Sequence, residues 1–186
     1  MRTRAFIVIA VAALALAGCG NHNLVLKVDV LSYLSAAQKN ITVGDVPEGS
    51  LPGPVAIVPD MTINLVDGLN DAAKVRSVTL SLGGLVTVGS GSGSGRFKLY
   101  MSGEGVDPLT TPSVMNVPVT FSAAQPGVVA VETAGSAAVA ELFTQKNLHL
   151  AMVLDSLVIA APGVTQMSVT LNKLEAIVIA GRKNTF

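Results

Sequence analysis

The chain has very few residues that hold metals or form covalent cross-links. Cys19 is the single cysteine among 186 residues, and the two histidines, His22 and His149, lie far apart in the sequence. One thiol excludes an intramolecular disulfide, cysteine-cluster zinc sites and iron–sulfur clusters. The composition therefore predicts no cofactor, and it argues against a histidine-rich metal site.

Charged side chains are also scarce. They make up 13% of the chain, and 12 Lys and Arg balance 12 Asp and Glu. An average globular chain has roughly 25% charged residues. Because no run or face of basic residues stands out, the sequence predicts no nucleic-acid partner.

Aromatic residues account for only 4% of the chain, with two Tyr and no Trp. A membrane-spanning β-barrel carries girdles of aromatic residues at both interfaces, so this composition argues against one. An exposed sugar-binding platform is built from aromatic side chains, and this chain has few of them. Protein contact is therefore favoured over glycan contact.

The amino-terminal segment is the most apolar part of the chain. Arg2 and Arg4 precede residues 5–18, AFIVIAVAALALAG, which carry no charge. This stretch is shorter than the ~20 residues that cross a bilayer as a helix. It has the length of the hydrophobic region of a secretory signal. Residues 1–18 are therefore predicted to be a cleaved signal peptide.

The end of this segment carries a specific motif. Leu16-Ala17-Gly18-Cys19 resembles the lipobox of bacterial lipoproteins. The resemblance implies that a diacylglyceryl group is transferred to the Cys19 thiol and that the chain is cleaved before Cys19; in many bacteria the new amine also receives an acyl chain such as palmitate. Because Gly20 rather than Asp follows, it favours the outer over the inner membrane. The alternative is an ordinary signal peptide with a chance cysteine.

The segment after Cys19 is short. Residues 19–23 form the predicted lipidated tether, and the folded domain is predicted over residues 24–186. Such a tether reaches at most about 17 Å. The folded domain is therefore expected to lie close to the membrane surface.

The remaining sequence is typical of an all-β protein. Alternating apolar and polar residues, separated by Gly, Pro, Asn and Asp, predict strands; these stretches are 24–34, 61–66, 75–89, 96–102, 114–121, 128–133, 148–155 and 165–181. A shift of apolar phase predicts a bulge near Asn172-Lys173, and Pro118 predicts an edge strand or a bulge. Residues 46–54, VPEGSLPGP, are predicted to be a connection.

One segment is predicted to be helical, at about residues 136–146. Ser136 is a candidate N-cap, and Val139, Leu142 and Phe143 have helical spacing. About eight strands with this one helix predict an antiparallel β-sandwich.

Three stretches contain residue types found in functional sites. Asp67, Asn70 and Asp71 form a weak candidate calcium site, with turn chemistry as the alternative. VGSGSGSGRF, residues 88–97, matches neither Gly-x-Gly-x-x-Gly nor a P-loop, so residues 88–96 are predicted to be a flexible hairpin loop.

The third stretch contains His149, Asp155 and Ser156, the residue types of a hydrolytic triad. His149 and Asp155 lie on one predicted strand, about 20 Å apart, so they cannot hydrogen-bond to each other. A carboxylate from another strand could still meet His149. No Gly-x-Ser-x-Gly elbow is present, and no catalytic residue is predicted.

These observations favour a membrane-anchored envelope lipoprotein with a non-catalytic β-sandwich module, structural or protein-binding. The alternative from another class is a carrier of a lipid or other apolar ligand, suggested by the aliphatic composition and the short tether. An envelope hydrolase is the third hypothesis, and no set of catalytic residues in the sequence supports it.

Overall fold

A computed structural model of the chain describes residues 23–65 and 73–182. It is an all-β protein with eight antiparallel strands, which confirms the predicted class. The strands are β1 Asn23–Asp29, β2 Asn40–Ser50, β3 Val55–Asn64, β4 Ala73–Val88, β5 Ser92–Gly103, β6 Met115–Ser122, β7 Gly127–Ala134 and β8 Asn147–Arg182. Two short helices, α1 (Ala36–Lys39) and α2 (Ala137–Leu142), accompany them.

Strand β8 joins the whole sheet. It has 36 residues, and on one side it pairs first with β5 and then with β4. On its other side it pairs in turn with β3, β2 and β1. β6 and β7 extend the two arms through β5 and β4. The strands therefore form one continuous sheet with two arms, rather than two separately hydrogen-bonded sheets.

The prediction of separate strands at residues 148–155 and 165–181 was wrong, because β8 runs through both. A straight strand of this length would extend about 120 Å, so β8 must twist and bend. The pairing with β2 skips residues 160–163 of β8, and Gly163 has a φ of 85°. Pro162 and Gly163 thus mark a bend, and not the end of a strand.

The two arms share one apolar core, to which β8 contributes from Leu148 to Ala180. Alternate residues of each strand point into this core, as period-2 patterning requires. The largest fully buried side chains come from several strands and from the segment after α2, and they include Phe97, Phe143, Ile57, Ile63, Leu82, Leu99, Leu148 and Met152. The sheet therefore curves around a single hydrophobic interior.

The predicted helix is present but shorter. Helix α2 covers Ala137–Leu142, and the Ser136 hydroxyl accepts a hydrogen bond from the Val139 backbone, as expected of an N-cap. Val139 and Phe143 are buried. Helix α1 was not predicted; its capping box, formed by Ser35 and Gln38, stabilises a single turn.

Two local predictions are confirmed. The register between β4 and β8 shifts between the Gly83–Lys173 and Gly84–Leu171 pairs, which leaves Asn172 as the extra residue of a bulge. β6, which contains Pro118, is at the end of the strand order and, among the described strands, pairs only with β5. Proline has no N–H to donate to a second neighbour, so an edge position suits it.

Several predicted boundaries were wrong, including that of β3, which begins at Val55 and not at residue 61. β1 ends at Asp29, and residues 30–33 form a 3₁₀ turn rather than continuing the strand to residue 34. Residues 46–50, predicted as part of a connection, belong to β2, because Pro47 lies on a strand whose register is irregular there. Residues 92–96, predicted as loop, belong to β5.

The glycine repeat in β5 has a packing role. A Cβ on Gly93 would lie 2.5 Å from the Phe121 ring, and one on Gly95 would lie 3.0 Å from Leu154. The ring of Phe121 therefore occupies the space that a side chain at position 93 would need. The absence of a side chain, rather than loop flexibility, explains glycine at position 93.

Candidate binding face

The outer surface of the β3, β8, β5 and β6 arm carries three pairs of polar side chains that contact one another: Lys98 with Asp155, His149 with Asp60, and Arg96 with Asn116. Phe97 and Leu99 point into the core, so Arg96 and Lys98 point outward from β5. We call this surface the charged face, and define it by six residues: Asp60, Arg96, Lys98, Asn116, His149 and Asp155.

Lys98 and Asp155 form the closest ion pair of the charged face. Lys98 Nζ lies 2.5 Å from Asp155 Oδ2, and about a quarter of each side chain is exposed. The backbone N–H of Ser156 donates to Asp155 Oδ1 at 2.7 Å. Ser156 has a φ of 53°, an uncommon value for a residue other than glycine. Asp155 is thus held from two directions.

These contacts change both pKa values. The hydrogen bond from Lys98, and next that from the Ser156 N–H, hold the pKa of Asp155 below its ordinary range. The same bond to Asp155 raises the pKa of Lys98. Burial opposes both changes, but it is the smaller effect.

Replacing Lys98 with Met should raise the pKa of Asp155 towards its ordinary value of about 3.9. In the unsubstituted protein, the stabilisation by Asp155 is full above that value and is lost as the pH falls through the lowered folded pKa. The stabilisation of the folded state by Lys98 is full below its unfolded pKa and is lost as the pH rises through its raised folded pKa. A carboxyl-carbon NMR titration measures the change; an unaltered Asp155 pKa would contradict the pairing. Lys74→Met is the control, since Lys74 lies at the start of β4.

Arg96 extends the charged face towards β6. It lies opposite Asp155 on β8 and opposite Pro118 on β6. Its Nη1 donates to Asn116 Oδ1 at 3.5 Å. The guanidinium charge also contributes to lowering the pKa of Asp155. Positive groups from β5 therefore flank the Asp155 carboxylate.

His149 meets a carboxylate from another strand. Its Nδ1 lies 3.2 Å from Asp60 Oδ1, with the imidazole about one-fifth exposed. The register of β3 shifts between Val58 and Met61, so Pro59 and Asp60 form a bulge. A bulge changes the direction of the side chains it contains. Period-2 spacing alone gives no signal for this contact, because it depends on how β3 pairs with β8.

The predicted separation of His149 from Asp155 is confirmed, since both lie on β8 and have different partners. Ser102 lies directly opposite His149 on β5, but its hydroxyl donates to the Val106 carbonyl at 2.6 Å. Within residues 23–65 and 73–182, no hydroxyl hydrogen-bonds to His149. The His149–Asp60 pair can orient an imidazole, but the described residues place no activated hydroxyl beside it.

Several residues singled out from the sequence lie outside the described residues. These are Cys19 and His22 near the amino terminus, and Asp67, Asn70 and Asp71 of the candidate calcium site. In the two described ranges, no three His, Cys, Asp or Glu side chains come together in a way that would hold a metal ion. Over the same ranges, every helix is too short or too polar to cross a membrane.

Comparison with known proteins assigns no family. No family model matches the chain, and no curated protein matches it. A chain in a structure of the infectious bursal disease virus Gx strain is similar over 78% of this chain and 36% of its own length. The two are 15% identical, with a TM-score of 0.26. A similarity this weak supports no argument about fold or function.

Proposed function

We propose that this chain is a membrane-anchored envelope lipoprotein, lipidated at Cys19 and favouring the outer membrane because Gly20 follows. Its all-β module is non-catalytic, and it is structural or binds another envelope protein. The lipobox resemblance of residues 16–19 supports the anchor. One acyl chain binds membranes only marginally, whereas two or three hold a protein stably.

The start of the sheet is the observation that carries this proposal. β1 begins at Asn23, four residues after Cys19. Asn23 lies opposite Gly181, near the end of β8. A lipid on Cys19 would therefore hold this end of the sheet within about 17 Å of the bilayer.

The charged face supports the protein-binding part of the proposal. Ion pairs at a protein surface contribute only about 0–1 kcal/mol each to stability, so stability alone is a weak reason for this arrangement. Alternating charges of opposite sign suit specific recognition of a complementary protein surface. The Ser102 hydroxyl that lies opposite His149 is bonded elsewhere, which favours binding over hydrolysis. Apolar side chains from both arms are buried together in the core, so the apolar-ligand carrier remains the second candidate on the aliphatic composition and the short tether alone.

Replacing Cys19 with Ser should abolish incorporation of a radioactive fatty acid, because a hydroxyl does not replace the thiol as the lipid acceptor. The protein should then move from the membrane to the soluble fraction or remain as unprocessed precursor. Fatty-acid labelling of growing cells and fractionation of the envelope measure both effects. Unchanged incorporation in the variant would overturn the anchor.

Gly20→Asp is the matched control. This variant should keep the fatty-acid label, because Cys19 is intact, and should move to the inner-membrane fraction. Chemical cross-linking in intact envelopes tests the partner: a cross-linked protein found with the unsubstituted chain should be lost in Cys19→Ser. Equal cross-linking of both forms would show that the anchor does not bring the two together.

A further inference from the structure

A patch of cationic and apolar residues lies beside the point where the chain enters the sheet. In the sheet, β1, β8 and β4 are neighbours here: Asn23 lies opposite Gly181, which lies opposite Lys74. We call this region the anchor-side patch, and define it by five residues: Val25, Lys27, Lys74, Arg76 and Ile179.

The members of the anchor-side patch share the outer surface of the sheet. Ala180 is buried in the core, so its neighbour Ile179 points outward, together with Val25, which lies opposite it. The β4–β8 register shifts between Val75 and Ser77, leaving Arg76 as the extra residue. The Arg76 guanidinium lies over Gly181, where a Cβ would overlap it. The bulge thus places Arg76 on the same surface as Val25.

Val25 is the most exposed apolar residue of this patch, at 53% exposure, and its neighbour Leu24 is 43% exposed. Lys74 and Arg76 are also exposed. Lys27 lies farther along β1 and pairs with Glu175 at 2.8 Å. Lys74 lies two strand spacings from Asn23, about 10 Å.

We propose that the anchor-side patch rests on the anionic phospholipid headgroups of the membrane that holds Cys19. In this arrangement Val25 enters the interface, and Lys74 and Arg76 contact lipid phosphates. The inference rests on the proposed lipid anchor, because that anchor brings Asn23 to the membrane. The short tether limits which part of the domain can reach the bilayer, and the patch lies beside the tether's attachment point.

The chemistry of the patch suits this partner. Lysine and arginine near an anionic membrane surface each add to binding, and the effect falls away within a Debye length. Aliphatic side chains that enter the headgroup boundary add a hydrophobic contribution. A lipid anchor supplies attachment, whereas the patch would fix the orientation of the sheet relative to the membrane.

The absence of tryptophan from this chain gives a direct test. Val25→Trp introduces one fluorophore into the patch, and Val128→Trp introduces one at a site of 69% exposure on β7. Val128 pairs with Leu85 of β4, whereas Val25 lies level with Ser77, about 26 Å away along that strand. Both variants would be made in the full chain, purified after lipid modification and reconstituted into vesicles of brominated phosphatidylcholine mixed with phosphatidylglycerol.

We expect bromine to quench the Val25→Trp fluorescence at least about twofold while leaving Val128→Trp nearly unchanged, as interfacial insertion of only one site requires. Adding Lys74→Gln and Arg76→Gln to Val25→Trp should shift the equilibrium between bilayer contact and release of the patch by roughly tenfold or more towards release, which lowers the quenching. High salt should act in the same direction, and it tests the electrostatic part without further substitution.

Two results would overturn the inference. Equal quenching at both sites, or none at position 25 in protein that remains on the vesicles, means that the anchor-side patch does not face the bilayer. Mass spectrometry of the same preparation separates this from failure of the anchor. A chain without diacylglycerol on Cys19 overturns the anchor and the inference together, whereas a lipidated chain without quenching overturns the inference alone.

Discussion

Replacing Phe97 with Ala is expected to lower the free energy of unfolding by about 3–5 kcal/mol, the usual result of truncating a buried phenylalanine. Phe97 is 1% exposed and lies between Val117 on β6 and Leu154 on β8. Its removal takes apolar surface from the core and leaves a cavity that neighbouring strands fill only partly. Chemical denaturation followed by circular dichroism measures the change.

Val128→Ala is the control for this experiment. Val128 is 69% exposed, so its truncation should change stability by no more than about 0.5 kcal/mol. A loss below about 1 kcal/mol for Phe97→Ala would mean that the interior is not closely packed around this ring. A loosely packed interior of this kind would support the hypothesis that the protein carries an apolar ligand.

Replacing Gly91 with Ala is expected to lower the free energy of unfolding by about 3 kcal/mol or more, because two costs combine. Gly91 has a φ of 73°, a conformation that L side chains rarely adopt. Its added Cβ would overlap the Ala160 carbonyl oxygen and lie 2.6 Å from the Ala161 Cβ. Backbone at this point cannot move aside as the end of a flexible side chain can.

Gly105→Ala separates the two costs. Gly105 has a φ of 76°, almost the same as Gly91, but a Cβ there would meet nothing within 4 Å. This variant should show only the conformational cost, about 1–2 kcal/mol. Thermal denaturation of both variants measures the difference, and equal losses would show that the β4–β5 turn does not pack closely against β8.

The two proposed contact surfaces use different parts of β8. The charged face includes His149 and Asp155 near its beginning, whereas the anchor-side patch includes Ile179 near its end. β5 pairs with the first part and β4 with the second. One continuous strand would thus connect the part of the module that faces the membrane with the part that contacts a partner.

The candidate site shows which side-chain positions the sequence pattern predicts and which it does not. The strand predicted at residues 96–102 shows the alternation expected of it, with Phe97 in the core and Lys98 outside, and strand length correctly separates His149 from Asp155. The Asp60–His149 contact was left open, because the bulge at residues 59–60 arises from pairing between strands distant in the sequence. The lipidation of Cys19 remains a prediction.

By itself, the sequence determined the all-β class, the bulge at Asn172 and the cap of α2, because each depends on residues that are neighbours in the chain. For β6 it left an edge strand or a bulge, and the strand order decided for the edge. Only the tertiary structure decided that residues 147–182 form one bent strand shared by two arms. It alone placed Gly91 against Ala160, Asp60 against His149, and Arg76 over Gly181. These contacts depend on register, and register is set by the pairing of whole strands around a common core.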